Sequence, residues 1–102
     1  MKTEFLNRVE LTGIVGKEVK IFVVHDIKVA RFTLMTTDGE KAPAEWHNVS
    51  VWEGEGVDDF SKLKKGDWVH LVGRSRSVAY VDQNGVERIL YEVRAQQLEI
   101  LK

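Results

Sequence analysis

The fold is decided by residues 68–94, which read WVHLVGRSRSVAYVDQNGVERILYEVR. The first half of this stretch, residues 68–81, is typical of one long β-strand. The tetrapeptide DQNG at residues 82–85 follows, and its Asn-Gly pair can supply the positive φ angle that a tight turn needs. Residues 86–94 then return as a second strand, so the stretch predicts a long β-hairpin.

The rest of the chain mostly follows the same two-residue period and predicts further strands. They fall in five runs, at residues 8–15, 19–24, 28–36, 44–52 and 97–101. The one predicted helix covers residues 57–65, where apolar side chains recur every third residue, two lysines suit the C-terminal end and Gly66 ends the helix. About five strands, with this helix between the third and the fourth, predict an all-β fold. The order fits a five-stranded Greek-key barrel of the oligonucleotide/oligosaccharide-binding (OB) type.

The composition limits the possible functions. The chain has 102 residues, 43% of them hydrophobic and 30% charged, so we expect one folded domain over residues 1–102. It contains no cysteine, and its first residues lack the apolar segment of a secretory signal, which favours a cytoplasmic location without a membrane segment. Lys and Arg number 15 against 16 Asp and Glu, so a surface for nucleic acid needs a basic surplus confined to one face.

The most informative candidate residues lie in the run at 44–52. Alternation places Val49 and Val51 on one face. The opposite face then carries Trp46, Asn48, Ser50 and Trp52. Because Asn48 and Ser50 are polar, we expect this second face to be exposed to solvent. Two exposed tryptophans suit stacking on nucleobases, which contributes about 1–3 kcal/mol per base, although a partner subunit or a second barrel surface covering the rings explains the pattern equally well.

A second candidate group lies on the predicted hairpin. Arg74, Arg76 and Tyr80 share one face of a regular strand, and Arg88 lies just beyond the turn on the returning strand. A groove for single-stranded nucleic acid needs such a mixture, because cations contact phosphates and aromatic rings stack on bases. Taken alone, the pattern also fits an ordinary exposed hairpin with solvated charges.

No residue pattern indicates an enzyme, a cofactor or a metal site. The three histidines, His25, His47 and His70, do not have the spacing of metal ligands, and no Ser/His/Asp or paired-carboxylate arrangement suggests catalysis. His47 shares the face of Val49 and Val51, so we expect it to be buried or to lie at an interface between subunits.

Residues 7–101 resemble the bacterial single-stranded DNA-binding protein family. The segments that carry the resemblance are NRV at 7–9, VARFTL at 29–34, EWH at 45–47, LKKGDWV at 63–69 and DQNG at 82–85 with the tyrosine before it. The resemblance implies an OB barrel that wraps single-stranded DNA around a homotetramer or a dimer. It assigns the stacking aromatics to Trp46, Trp52 and Tyr80, and the interface histidine to His47. It assigns the basic phosphate contacts to Arg8, Lys64, Lys65 and Arg76.

The chain also departs from the family's pattern. The loop at residues 36–43 is short and has no aromatic residue, and Asn48 stands where a basic residue is common. Since each lost phosphate contact lowers the salt slope by about 0.7 for single strands, the resemblance implies weaker and less salt-sensitive binding than is usual in the family. Family members usually continue into a flexible linker and an acidic tip, so an end at Lys102 suggests a removed tail or a tail-less relative of the primosomal type.

The leading hypothesis is a non-catalytic module that binds single-stranded DNA in replication, recombination or repair, with little regard for sequence. Its bases would stack on Trp46, Trp52 and Tyr80. Its phosphates and other polar groups would contact Arg8, Asn48, Lys64, Lys65, Arg74, Arg76 and Arg88. The alternative is an adaptor in a primosome or mobile-element complex, whose aromatic face binds replication or repair proteins. Single-stranded RNA is a third candidate ligand, because stacking separates the two sugars poorly.

Overall fold

Six β-strands make up the regular structure of residues 3–101, the part of the chain that the computed structural model describes. They are β1 (Val9–Val15), β2 (Lys20–Val24), β3 (Ile27–Thr37), β4 (Ala44–Trp52), β5 (Trp68–Val81) and β6 (Glu87–Leu101). The predicted all-β class is confirmed. The predicted hairpin is also present, because β5 and β6 pair from Trp68↔Leu101 to Val81↔Glu87, and Gly85 in the turn has a φ of 78°.

The strands form one sheet in the order β1-β5-β6-β4-β3-β2. All neighbours are antiparallel except β4 and β6, which run parallel over three pairs of residues. The first strand also pairs with β3, through Ile14↔Met35 and Val15↔Leu34. The pairings therefore lead from β1 through β5, β6, β4 and β3 back to β1. One side of this sheet holds the apolar core, whose fully buried members include Val15, Leu34 and Leu71.

The predicted helix at residues 57–65 is wrong, because turns and irregular backbone occupy the segment between β4 and β5. Its apolar residues do reach the core, and Phe60 and Leu63 are buried. The first residues of the segment, however, bond to the unpaired edge of β6, and the later ones form isolated turns, such as the bond from the N–H of Leu63 to the carbonyl of Phe60 (3.0 Å). The N–H of Asp58 donates to the carbonyl of Leu98 (2.9 Å), and the N–H of Leu98 donates to the carbonyl of Gly56 (2.9 Å).

The structure of residues 3–101 has six strands, whereas the seven strand-like runs of the sequence predict about five. The runs predicted at residues 86–94 and 97–101 form one strand, β6, which continues through a β-bulge. Val72 pairs with Gln97 while Gly73 pairs with Ala95, so Gln96 is the extra residue of the bulge. The bulge lets one long strand pair with β5 along its whole length and still turn around the core.

Candidate nucleic-acid interface

Most of the predicted binding residues lie on one side of the sheet, which we call the outer face. Side chains of residues that are paired across a ladder point to the same side. Ser50 of β4 pairs with Arg94 of β6, and Arg94 pairs with Arg74 of β5. Every second residue from these positions belongs to the same side. The predicted residues that this register brings together are Trp46, Asn48, Trp52, Arg74, Arg76, Tyr80 and Arg88.

Trp46 is the most exposed aromatic ring of the outer face, with 59% of its surface accessible. Its ring lies against the backbone of Gly16, which follows β1. A Cβ atom built on Gly16 would lie 2.0 Å from Cζ3 of Trp46, far inside van der Waals contact. The absence of a side chain at residue 16 therefore allows the edge of the indole to approach the backbone closely, and the predicted exposure of Trp46 is confirmed.

Trp52 is only half-buried, and its ring is not open on both sides. The guanidinium carbon of Arg94 lies 4.6 Å from the ring centroid, within the range of a cation–π contact. Arg74 lines the same cleft, which has a volume of about 430 Å³. This cleft therefore combines an aromatic ring and two cations with one carboxylate, that of Glu55.

Tyr80 lies at the far end of β5, directly opposite Arg88, and is 44% exposed. Arg88 is also exposed, but its Nε lies 2.6 Å from Oδ2 of Asp82 in the hairpin turn. The hydrogen bond from Arg88 lowers the pKa of Asp82, with backbone donors in the turn adding to the effect. The carboxylate therefore compensates much of the positive charge beside Tyr80.

The expectation that Ser50 is exposed to solvent is wrong. Only 2% of its surface is accessible, and its Oγ donates a hydrogen bond to Oε1 of Glu92 (3.3 Å). Glu92 is itself buried and also faces Arg76, whose Nε lies 3.9 Å from Oε1. The Glu92 side chain of β6 thus covers Ser50, although the two residues lie 42 positions apart in the sequence. Arg76 compensates a buried carboxylate as well as facing solvent.

Three of the predicted cations lie outside the register that defines the outer face. Lys64 and Lys65 are in the loop before β5, where Nζ of Lys64 lies 2.9 Å from Oδ1 of Asp67. Arg8 precedes β1, and its Nη2 lies 3.5 Å from Oε1 of Glu10. These contacts pair two of the three cations with carboxylates on their own segments.

His47 lies on the core-facing side of β4, as the alternation predicts. Its ring is half-buried, and its Nε2 lies 2.9 Å from Oγ1 of Thr36, within hydrogen-bond distance. A role at a subunit interface stays a prediction for this residue.

The outer face also carries residues that the sequence pattern did not single out. Arg31 of β3 pairs with Ser50 of β4, and Lys20 of β2 pairs with Arg31, so the face continues to the edge of the sheet. The face carries one carboxylate, Glu92, over β2, β3, β4 and the part of the β5–β6 hairpin that lies between the bulge and the turn. The cations on the same area are Lys20, Arg31, Arg74, Arg76, Arg88 and Arg94. The basic surplus that the net charge of −1 conceals is therefore local to this part of the face, since Glu10 of β1 and Glu99 of β6 lie on the same side beyond it.

Residues 3–101 also bear on metal binding and on membrane insertion. No group of three or more His, Asp or Glu side chains there is arranged to hold a metal ion. Within the same residues, no helix is long and apolar enough to cross a membrane.

Comparison with known proteins first places the chain in a fold class. A solved structure described as the Plasmodium falciparum SSB complex with ssDNA superposes with a TM-score of 0.79 at 26% identity, over 100% of both chains. The all-β fold is therefore that of the OB-type single-strand binding proteins. Residues 6–101 also match the Single-strand binding protein family, and the chain belongs to this family.

Curated relatives agree with this assignment. The single-stranded DNA-binding proteins of Neisseria meningitidis serogroup A and Bacteroides thetaiotaomicron are 29% and 33% identical to the chain, and each match covers 94% of it. The matched region spans 60% and 66% of the lengths of these two relatives.

Proposed function

We propose that the chain binds single-stranded DNA without catalysing a reaction, largely independently of base sequence, in replication, recombination or repair. The observation that carries this proposal is the outer face, where Trp46, Trp52 and Tyr80 share one side of the sheet with Arg74 and Arg76. Membership of the Single-strand binding protein family supports it, as does the ssDNA in the similar Plasmodium falciparum complex.

The outer face suggests how a strand is held. Bases stack on the exposed rings of Trp46 and Tyr80, and the contact is tolerant of sequence because every base has a π-face. At Trp52, one side of the ring is covered by Arg94, so a base stacks either on the guanidinium plane or on the other side of the indole. Arg74 has no ion-pair partner among residues 3–101, which leaves its charge available for a phosphate.

We further infer that the sheet is a five-stranded Greek-key OB barrel, formed by β1, β3, β4, β5 and β6, with β2 extending β3 as a short edge hairpin. The circular order of the strand pairings supports this reading. The chain then acts as one binding domain, working at the nucleoid in the cytoplasm.

The proposal is tested by titrating a fluorescent oligo(dT) strand of about 35 nucleotides, long enough for the ~4–16 nucleotides that one OB fold occupies. Tryptophan quenching is read in parallel at low and at moderate salt. We expect tight binding that quenches tryptophan, weakens with salt and is not displaced by duplex DNA. Equal displacement by oligo(rU) would widen the ligand to RNA. An absence of binding at low salt would refute the proposal and point to a protein partner for the outer face.

We also propose that copies of the chain associate as a dimer or a tetramer, with His47 near the contact. The side of the hairpin opposite the outer face leaves Val81, Ile89 and Tyr91 exposed, and burial of these side chains on a second copy is favourable. Light scattering on a size-exclusion column measures the mass directly. A monomer at every concentration tested would contradict this proposal, and Ile89→Lys is expected to lower the mass if the hairpin forms the contact.

A further inference from the structure

The edge of the outer face, on β2 and β3, carries an aromatic ring and cations that none of the predicted contacts use. Phe22 of β2 is 39% exposed and pairs with Val29, which places its ring on the same side as Trp46 and Trp52. The guanidinium carbon of Arg31 lies 5.8 Å from the centroid of the Phe22 ring. A ring and a cation in this arrangement repeat the contact that Arg94 makes with Trp52.

These residues line a cleft of about 450 Å³ between the β2–β3 hairpin and β6. The volume lies within the range of roughly 300–1,000 Å³ that is usual for small-ligand sites. Lys17, Lys20 and Arg31 bring positive charge to the cleft, and none of them has an ion-pair partner among residues 3–101. Its carboxylates are Glu18 and Glu92, and Glu92 is already bonded to a serine and faces an arginine.

An exposed polar side chain also lines the cleft. Asn48 of β4 pairs with Thr33 of β3, and its amide is accessible to a ligand there.

We propose that this cleft binds one further nucleotide of the same single strand, with its base against Phe22 and its phosphate near Lys20 and Arg31. The cleft is continuous with the outer face, and its aromatic ring suits a base while its cations suit a phosphate. The exposed amide of Asn48 then faces the polar edge of the base. The inference rests on the proposed function, because it extends the path of the strand beyond Trp46 and Trp52 to the edge of the sheet.

The experiment compares Phe22→Ala with Ile21→Ala in the oligo(dT) titration. Ile21 is the matched control, because it lies on the same strand with 40% exposure but pairs with Ala30 and points to the other side. We expect Phe22→Ala to weaken binding by at least about fivefold, the lower end for the loss of one base stack, and Ile21→Ala to leave the affinity unchanged. Circular dichroism verifies that both variants are folded.

The outcomes separate this inference from the proposed function. If the wild type binds and Trp46→Ala weakens binding, but Phe22→Ala behaves like Ile21→Ala, the cleft is not a nucleotide site and the proposed function stands. If the wild type itself does not bind, the proposed function fails first. Should Phe22→Ala not fold, Phe22→Leu replaces it, since leucine keeps an apolar side chain at this position but has no π-face.

Discussion

The contact between Gly16 and Trp46 gives a sharp test of the outer face. In Gly16→Ala, the new Cβ would lie 2.0 Å from Cζ3 of Trp46, whereas carbon atoms in contact are about 3.5–4.0 Å apart. The ring must therefore move by roughly 1.5–2 Å. Gly16 is not among the glycines with a positive φ, so alanine fits the backbone, and the exposed ring can move at little cost to the fold.

The expected effect on binding follows from the stacking energy. If the displaced indole can no longer stack on a base, the loss is about 1–3 kcal/mol, or about 5- to 150-fold in affinity. The free energy of unfolding should change little, because Gly→Ala at a compatible site gains about 0.4–1 kcal/mol through the unfolded chain, which offsets part of the repacking. Oligo(dT) titration and urea denaturation measure the two quantities on the same preparation.

A double-mutant cycle shows whether Gly16 acts through the ring. Trp46→Ala removes the ring, so adding Gly16→Ala to it should weaken binding no further. If Gly16→Ala lowers the affinity equally in the presence and in the absence of the indole, residue 16 affects the strand by another route. The reasoning about Trp46 would also fail if Gly16→Ala left both the affinity and the tryptophan emission unchanged.

Two further predictions concern charges on the outer face. Arg74→Gln should lower the slope of log affinity against log salt by about 0.7, and Arg76→Gln by clearly less, because Glu92 already compensates Arg76; equal slopes for the two variants would contradict this. Because the hydrogen bond from Arg88 lowers the pKa of Asp82 below 3.8, its carboxylate stabilises the fold above about pH 4 and loses this contribution as the pH falls through the lowered pKa. Thermal melts should therefore find Asp82→Asn less stable than the wild type at pH 7 and close to it near pH 2, and a difference that is constant with pH would refute the assignment.

The alternation of residues predicted the outer face well because a β-strand keeps its two-residue period over long distances. Arg74, Arg76 and Tyr80 share a side as expected, since the bulge of β6 lies before Arg74 in the pairing and the register is regular beyond it. The DQNG turn at residues 82–85 was equally predictable, because its conformation depends on residues within the turn itself. Local rules were sufficient for these elements.

The segment after β4 was not predictable by the same rules. A spacing of three between Val57, Phe60 and Leu63 is helical only if backbone bonds continue from one turn to the next. Here the edge of β6 bonds to residues 56–58 and prevents a helix from starting, so only isolated turns follow. That edge is available because β4 pairs with β6 only as far as Ala95. To reject the helix one must know that the parallel pairing of β4 with β6 ends at Ala95, because this leaves Leu98 free to bond to Asp58, 40 residues before it in the sequence.

The contacts of Ser50 and Trp52 were hidden for the same reason. Their neighbours Glu92 and Arg94 come from β6, and the parallel pairing of β4 with β6 cannot be read from either strand alone. A sequence pattern reports which side of a strand a residue faces, but not which side chain from the next strand covers it. The register of β2 against β3 was needed in the same way to place Phe22 on the outer face.

The ion pairs explain how a chain with a net charge of −1 can present a surface for a polyanion. The acidic partners of the hairpin and loop cations, Asp82 beside Arg88 and Asp67 beside Lys64, compensate charge at the periphery of the sheet. The outer-face cations without such partners in residues 3–101 are Lys20, Arg31, Arg74 and Arg94. These four lie on β2, β3, β5 and β6, so the uncompensated charge crosses the strands of the sheet instead of following the hairpin to its tip. On the proposed path, a single strand that tracks this charge would pass Trp52 and reach Phe22, the two aromatic rings of residues 3–101 that have an arginine over them.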